Sequence, residues 1–141
     1  MEQLLEFAGN HPLLSLGFVA VFLALIWTEI QRRAQGFREL PVAQAVPLIN
    51  RDNTVVVDVS AVADYNQGHI VGAKHVPLKR FDDPDAELQR LKGQSVLVAD
   101  KNGQTAARAA AALVKLGAAE VAVLKGGMMA WKAENYPVTR N

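Results

Sequence analysis

The chain has 141 residues, half of them hydrophobic, with fifteen basic residues against fourteen acidic ones and no cysteine. That length holds one domain of roughly 100 residues plus an additional segment, and the balanced charge, without a basic stripe or zinc spacing, excludes a nucleic-acid footprint. The absence of cysteine excludes disulfides, thiolate metal sites and any thiol or persulfide chemistry carried by this chain alone.

From Phe7 to Thr28 the stretch FAGNHPLLSLGFVAVFLALIWT carries no charged side chain. At about 1.5 Å per residue it crosses a hydrocarbon core of about 30 Å, so one transmembrane helix is expected within residues 1–30. Its apolar centre runs from Leu13 to Trp27, with Pro12 in the first turn and Trp27 at the level of an aromatic belt. A cleaved signal peptide competes with this reading, but the start MEQLLE is acidic and no small-x-small cleavage pattern comes after it. Arg32, Arg33 and Arg38 lie after the span whereas Glu2 and Glu6 precede it. The arginine-rich side stays in the cytoplasm, which places the start of the chain outside and everything after the span inside. Gly17, Ala20 and Ala24 form a small-residue stripe compatible with helix pairing, and the oligomeric state stays open.

Residues 31–38 read as a polar juxtamembrane linker and residues 39–141 as the domain. VAQAVPLIN predicts a short helix that stops or kinks near Pro47, since proline removes a helix hydrogen bond. TVVVDV, Thr54 to Val59, is β-branched and too short for a helix, which predicts a central strand. AVADYNQG suits a short helix ending at Gly68, and a brief strand comes next around His75 and Val76. DDPDAELQRLKG predicts a helix with Asp83 as N-cap, Pro84 at the first position and Gly93 past the end. SVLVA is a second buried strand, GQTAARAAAALVKLG an alanine-rich helix stopped by Gly117, EVAVLKGG a further strand, and MMAWKAENYP a last helix closed by Pro137. Alternating strands and helices give an α/β domain with a mainly parallel sheet and helices on both faces.

Chemistry is concentrated in Ser95 to Gly117, SVLVADKNGQTAARAAAALVKLG: a strand, a polar loop, and a helix whose first turn faces that loop. Backbone amides at such a junction build sites for anions or nucleophiles. The candidate binding loop is Asp100, Lys101, Asn102, Gly103, Gln104 and Thr105, with Arg108 one helical turn further on. An aspartyl nucleophile at position 100 would need a metal and further carboxylates beside it, and the loop supplies none. A carboxylate there can instead accept hydrogen bonds from the loop amides and complement the helix dipole. His69 and His75 are six apart and His11 lies by the span, which is no metal-site spacing, and no Walker or dinucleotide motif occurs; no cofactor is implied. His69 is expected to make structural hydrogen bonds at a turn, Asp58 to bind nearby donors, and Trp131, Tyr65 and Tyr136 to pack. One of Met128 and Met129 is expected in the core, the other at the edge of a partner groove.

Three segments in register resemble the rhodanese family. VVVDVSAVADYNQGHIVGAKHVPL is similar to the signature in which a strand ends in Asp and is succeeded by an aromatic residue, Gly-His-Ile, Gly-Ala and Pro; DKNGQTA matches the loop before the alanine-rich helix; VLKGGMMAWKAENYPV resembles the closing Leu-x-Gly-Gly segment with its tryptophan and proline. With the apolar helix in front, the chain resembles the small membrane-anchored rhodanese-like proteins of bacteria. This implies an inner-membrane protein with a cytoplasmic rhodanese-like domain. Active members carry a cysteine at the first of six loop positions, accept sulfur as a persulfide and stabilise its charge with inward-pointing amides. By register Asp100 stands at the cysteine position and Thr105 at the arginine that often ends the loop. Ser60 stands where an arginine is common after the strand-end aspartate, and Asp64 where a glutamate is usual. Every departure falls on the sulfur chemistry. The resemblance therefore implies a noncatalytic domain acting as a protein-binding or scaffold module for a membrane-associated partner, machinery that inserts or assembles membrane proteins being one such client. The alternative it leaves is a sulfurtransferase-related or anion-carrying role near Arg108 that depends on a partner's thiol.

Overall fold

The computed structural model describes every residue except Gln35, Asp52 and Asn141, and the side chains of Arg32 and Arg33 also lie outside the described set. The chain divides into two compact units, residues 1–35 and 36–141.

The first unit is two helices, α1 (Glu2–Asn10) and α2 (Pro12–Ala34), where the sequence suggested one. They part at His11, whose backbone lies at φ −132°, ψ 65°. Pro12 is the cause: it cannot donate a backbone hydrogen bond and drives the residue before it out of the helical region. Within α2, Pro12–Gln31 is long and apolar enough to cross a membrane, by length and composition, with a mean hydropathy of 2.2. The helix runs to Ala34, through much of the stretch read as linker, because that stretch holds no proline or glycine before Gly36.

In the second unit β1 (Arg38–Leu40) comes first, so the domain's first strand starts inside the expected linker. Next along the chain are α3 (Val42–Ile49), β2 (Thr54–Asp58), α4 (Val62–Gln67), β3 (Lys74–His75), a 3₁₀ turn at Leu78–Phe81, α5 (Ala86–Gln89), β4 (Ser95–Ala99), α6 (Ala106–Leu116), β5 (Glu120–Leu124) and α7 (Gly127–Ala133). The five strands form one parallel sheet in the order β1-β5-β4-β2-β3. Central β4 is buried along its whole length, as strands covered on both faces must be.

Alternation along the strands sorts the core into two layers. Val57, Val96, Val98, Val121 and Val123 meet Phe81, Leu88 and the buried face of α6: Ala106, Ala109, Ala110 and Leu113. Val56, Leu97, Ala99, Ala122 and Leu124 meet Val42, Ala45 and Leu48 of α3 together with Met128 and Trp131 of α7. Small alanines at i, i+3 and i+4, with Leu113 at i+7, let α6 lie close on the sheet, and Gly117, at φ +101°, ends it with its amide and that of Ala118 returned to Leu113 and Val114.

Two helices depart from expectation. α3 continues through Pro47 to Ile49, because Val42, Ala45 and Leu48 are buried on either side of the missing bond and hold the turn by packing. α5 begins two residues later than Asp83 and Pro84 suggested, at Ala86, with Asp85 as its N-cap accepting the Leu88 amide at 3.1 Å. Asp85 wins among the neighbouring acids because Arg80 holds its carboxylate at 2.7 Å while also binding Glu87 at 2.8 Å.

Candidate functional site

Parallel strands deliver their C-terminal ends to one edge of the sheet, and β2 and β4 both end there in an aspartate environment: Asp58 closes β2, and Asp100 is the residue directly after β4. Residue parity along β4 turns Asp100 to the same face as Val96 and Val98, the α6 face. Its side chain is wholly buried.

The loop from Asp100 to Thr105 folds around that carboxylate. Oδ1 accepts the Gly103 amide at 2.5 Å, and Oδ2 accepts the Thr105 amide at 2.7 Å, the Thr105 hydroxyl at 2.9 Å and the Ala106 amide at 3.1 Å. Three of these donors are backbone N–H groups, Gly103 in the loop and Thr105 and Ala106 at the start of α6, where the helix dipole also favours negative charge. The inward-pointing amides thus converge on an anion that belongs to the chain itself. With both oxygens engaged and no exposed surface, the Asp100 carboxylate has no open path to an electrophile or to a substrate proton in this structure.

A second set of contacts braces the loop from outside. The Met128 amide donates to the Asp100 carbonyl at 2.7 Å and the Met129 amide to the Lys101 carbonyl at 3.0 Å, so the first turn of α7 is hydrogen-bonded to the loop backbone. This approach requires glycine at 127: a Cβ there would stand 2.5 Å from the Asp100 carbonyl oxygen and 2.6 Å from the Asn102 nitrogen, at φ +61°. Gly103, at φ +90°, faces the Gly126 backbone, where a Cβ would stand 3.0 Å from the Gly126 nitrogen.

The loop shows a polar surface to solvent. Lys101, Asn102, Gln104 and Thr105 are exposed, and Asn102 Oδ1 accepts the Gln104 amide at 3.2 Å. Lys101 Nζ reaches Asp64 Oδ1 of α4 at 3.7 Å. Beside this pair lies a cavity of about 110 Å³ bordered by Ser60, Asp64, Gln67, Lys101, Met128, Met129 and Lys132. Met128 is buried and Met129 is 60% exposed at its rim. Arg108 is exposed on α6 and its side chain forms no hydrogen bond or ion pair among the described residues, so it is not gathered into the loop.

The β2 end is built differently. Asp58 Oδ1 accepts the Ser60 amide at 2.8 Å and the Ser60 hydroxyl, whereas Oδ2, also buried, has no hydrogen-bond partner among the described residues. Around it the histidines are structural. His75 Nε2 donates to the Ser60 carbonyl at 2.8 Å and His69 Nδ1 to the Tyr65 carbonyl at 2.8 Å. Tyr65 stacks on His69 with ring centroids 3.7 Å apart, and its hydroxyl donates to the Ala73 carbonyl at 2.9 Å. His69 also pairs its backbone with Thr139. Among the described residues no group of three or more His, Asp or Glu side chains is placed to hold a metal ion.

The sequence led one to expect a carboxylate hydrogen-bonded by the loop amides, and Asp100 accepts those of Gly103, Thr105 and Ala106. The sequence missed the Thr105 hydroxyl as a ligand of Asp100, the α7 brace, the Lys101–Asp64 pair and the stacked Tyr65–His69 rings. Only the paired glycines at 126 and 127 carried a signal for any of these, since a glycine pair at a helix start marks close backbone approach.

The family profile for the Rhodanese-like domain matches residues 42–134. Over 141 residues, and 99% of both chains, the sequence is 33% identical to the uncharacterized protein YibN of Escherichia coli K12. It is 31% identical over 105 residues to the thiosulfate sulfurtransferase GlpE of Pseudomonas putida GB-1, covering 72% of this chain and 89% of that one. Among solved structures, a rhodanese-related protein from Thermoplasma volcanium superposes with a TM-score of 0.64 at 23% identity, covering 74% of this chain and all of the other.

Proposed function

Because the chain belongs to the rhodanese-like family, we propose that it is a noncatalytic member, held at the bacterial inner membrane by α2 with its domain in the cytoplasm, and that it works as a protein-binding or scaffold module. The observation that carries this reading is the Asp100 carboxylate, which occupies the amide cradle with four hydrogen bonds in a chain that has no cysteine. Sulfur transfer in this family needs a thiolate in that cradle, and here a fixed carboxylate fills it. The recognition face is the outer side of the loop, Lys101 to Thr105, with the neighbouring edge from Asp58 to His69 and the cavity rimmed by Met129 and Lys132. A mixed polar rim around an adaptable methionine suits a protein surface. A module tethered by one span serves a client that is itself at the membrane, and machinery that inserts or assembles membrane proteins is such a client.

In-cell photo-crosslinking from position 101, with a second probe at position 20 in α2, tests the reading. A discrete protein adduct from position 101 is the expected result. If no adduct forms and thiosulfate or phosphate shifts the loop amide signals of the unmodified protein, the module reading is wrong and an anion-carrying role near Arg108 takes its place. A companion experiment opens the cradle: Asp100→Ala should be stabilised by added phosphate or thiosulfate, whereas the parent should not respond.

A further inference from the structure

The break at His11 leaves α1 as a separate helix joined to α2 by a single residue. None of its side chains is buried, and Leu4, Leu5 and Phe7 are more than half exposed. Nine residues are too few for a helix to persist in water alone, where segments shorter than about 12–15 residues are marginal. Its pattern says what else stabilises it. Leu4 and Ala8, one turn apart, share a side with Leu5 and Phe7, while Glu2, Glu6 and Asn10, also spaced by four, line the opposite side together with Gln3.

We propose that α1 lies in the plane of the lipid headgroups on the outer side of the membrane, with Leu4, Leu5, Phe7 and Ala8 seated at the acyl boundary and the two glutamates in water. This rests on the reading of α2 as a membrane span. Continuity with α2 identifies the partner as a lipid surface: a segment linked through one residue to a hydrocarbon-spanning helix sits at the headgroup level. Tethering also answers the objection that a short acidic helix binds membranes weakly, because α1 never has to find the surface and its apolar side meets lipid at a high effective concentration. The Pro12 break is what permits the turn from the span into the interface, since it removes the hydrogen bond that would continue α2 straight into α1.

The absence of cysteine makes the test direct. The full chain carrying one cysteine at position 2, 4, 6, 8 or 20 is labelled with an environment-sensitive fluorophore and reconstituted into phosphatidylethanolamine vesicles with a minority of phosphatidylglycerol. Lipids bearing a nitroxide near the headgroup or deep in the chain then quench the label. The expected result is a blue shift and loss of intensity with the shallow nitroxide at positions 4 and 8, water-like emission at 2 and 6, and quenching by the deep nitroxide at 20. Equal, water-like emission at 2, 4, 6 and 8 with position 20 still deep overturns the interfacial helix and leaves the span standing. A water-like position 20 overturns the span and this proposal with it. Adding Leu5→Asp should return the position 8 label to water while leaving position 20 unchanged; a position 8 label that stays shielded also counts against the proposal.

Discussion

Two neighbouring parallel strands deliver buried aspartates to the same sheet edge, yet one has both carboxylate oxygens hydrogen-bonded and the other only one. Asp100 receives four hydrogen bonds on two oxygens, and Asp58 receives both of its hydrogen bonds, from Ser60, on one oxygen. The difference lies in the helix that succeeds each strand. After β4 comes an 11-residue helix whose first amides point back at the strand end, while after β2 comes a helix of six residues, none of whose amides donates to Asp58 among the described residues. A buried carboxylate is therefore only as well held as the backbone donors aimed at it, and the loop geometry supplies those donors.

The comparison can be broken at its most sensitive point, the brace behind Asp100. Gly127→Ala forces a Cβ against the Asp100 carbonyl and the Asn102 amide at a positive φ, and should cost about 3 kcal/mol or more in a denaturant titration. Next comes the same exchange at both strand ends. Asp100→Asn turns one acceptor into a donor facing N–H groups, and should lose about 2–4 kcal/mol. Asp58→Asn can place its NH₂ where Oδ2 already lacks a partner and removes a buried charge, so its cost should stay below about 1 kcal/mol. Equal losses at the two sites would sink the contrast. Thr105→Val removes the hydroxyl donor and keeps the three amides, and should cost about 1 kcal/mol by the same titration.

The smallest effect belongs to a third, exposed aspartate that acts as a control. The hydrogen bond from Arg80, and after it the Leu88 amide, holds the Asp85 carboxyl below its ordinary range. A depressed carboxyl contributes stability that is complete above the unfolded group's value and is lost as the pH falls through the folded one. The melting temperatures of the parent and Arg80→Ala should differ slightly at neutral pH and converge in acid below the usual carboxylate range. A difference that grows toward acid would contradict the pairing.

Much of this was legible in the sequence for local reasons. The apolar runs of β2 and β4, the alanine spacing of α6 and its Gly117 stop are all short-range signals, and register against the family loop placed Asp100 in the cradle. Other features escaped for equally physical reasons. β1 is three residues with two exposed charges, so no hydrophobic run announces it. Several acids precede α5, and only Arg80, folded back from the preceding turn, decides which one caps it. The brace by α7 comes from residues more than twenty positions beyond the loop, and no local pattern couples Met128 to Asp100.

If the proposed reading holds, a cradle that carries its own occupant answers to no anion outside the molecule. An empty nest of amides would gain and lose rigidity with the concentration of whatever anion entered it, and a thiol there would respond to the oxidants of the cell. On the proposed reading Asp100, being covalently part of the loop, holds the surface offered by Lys101 to Thr105 in one shape through every change of sulfur or phosphate supply. The loop would then serve as a fixed landmark and not as a receptor for a metabolite.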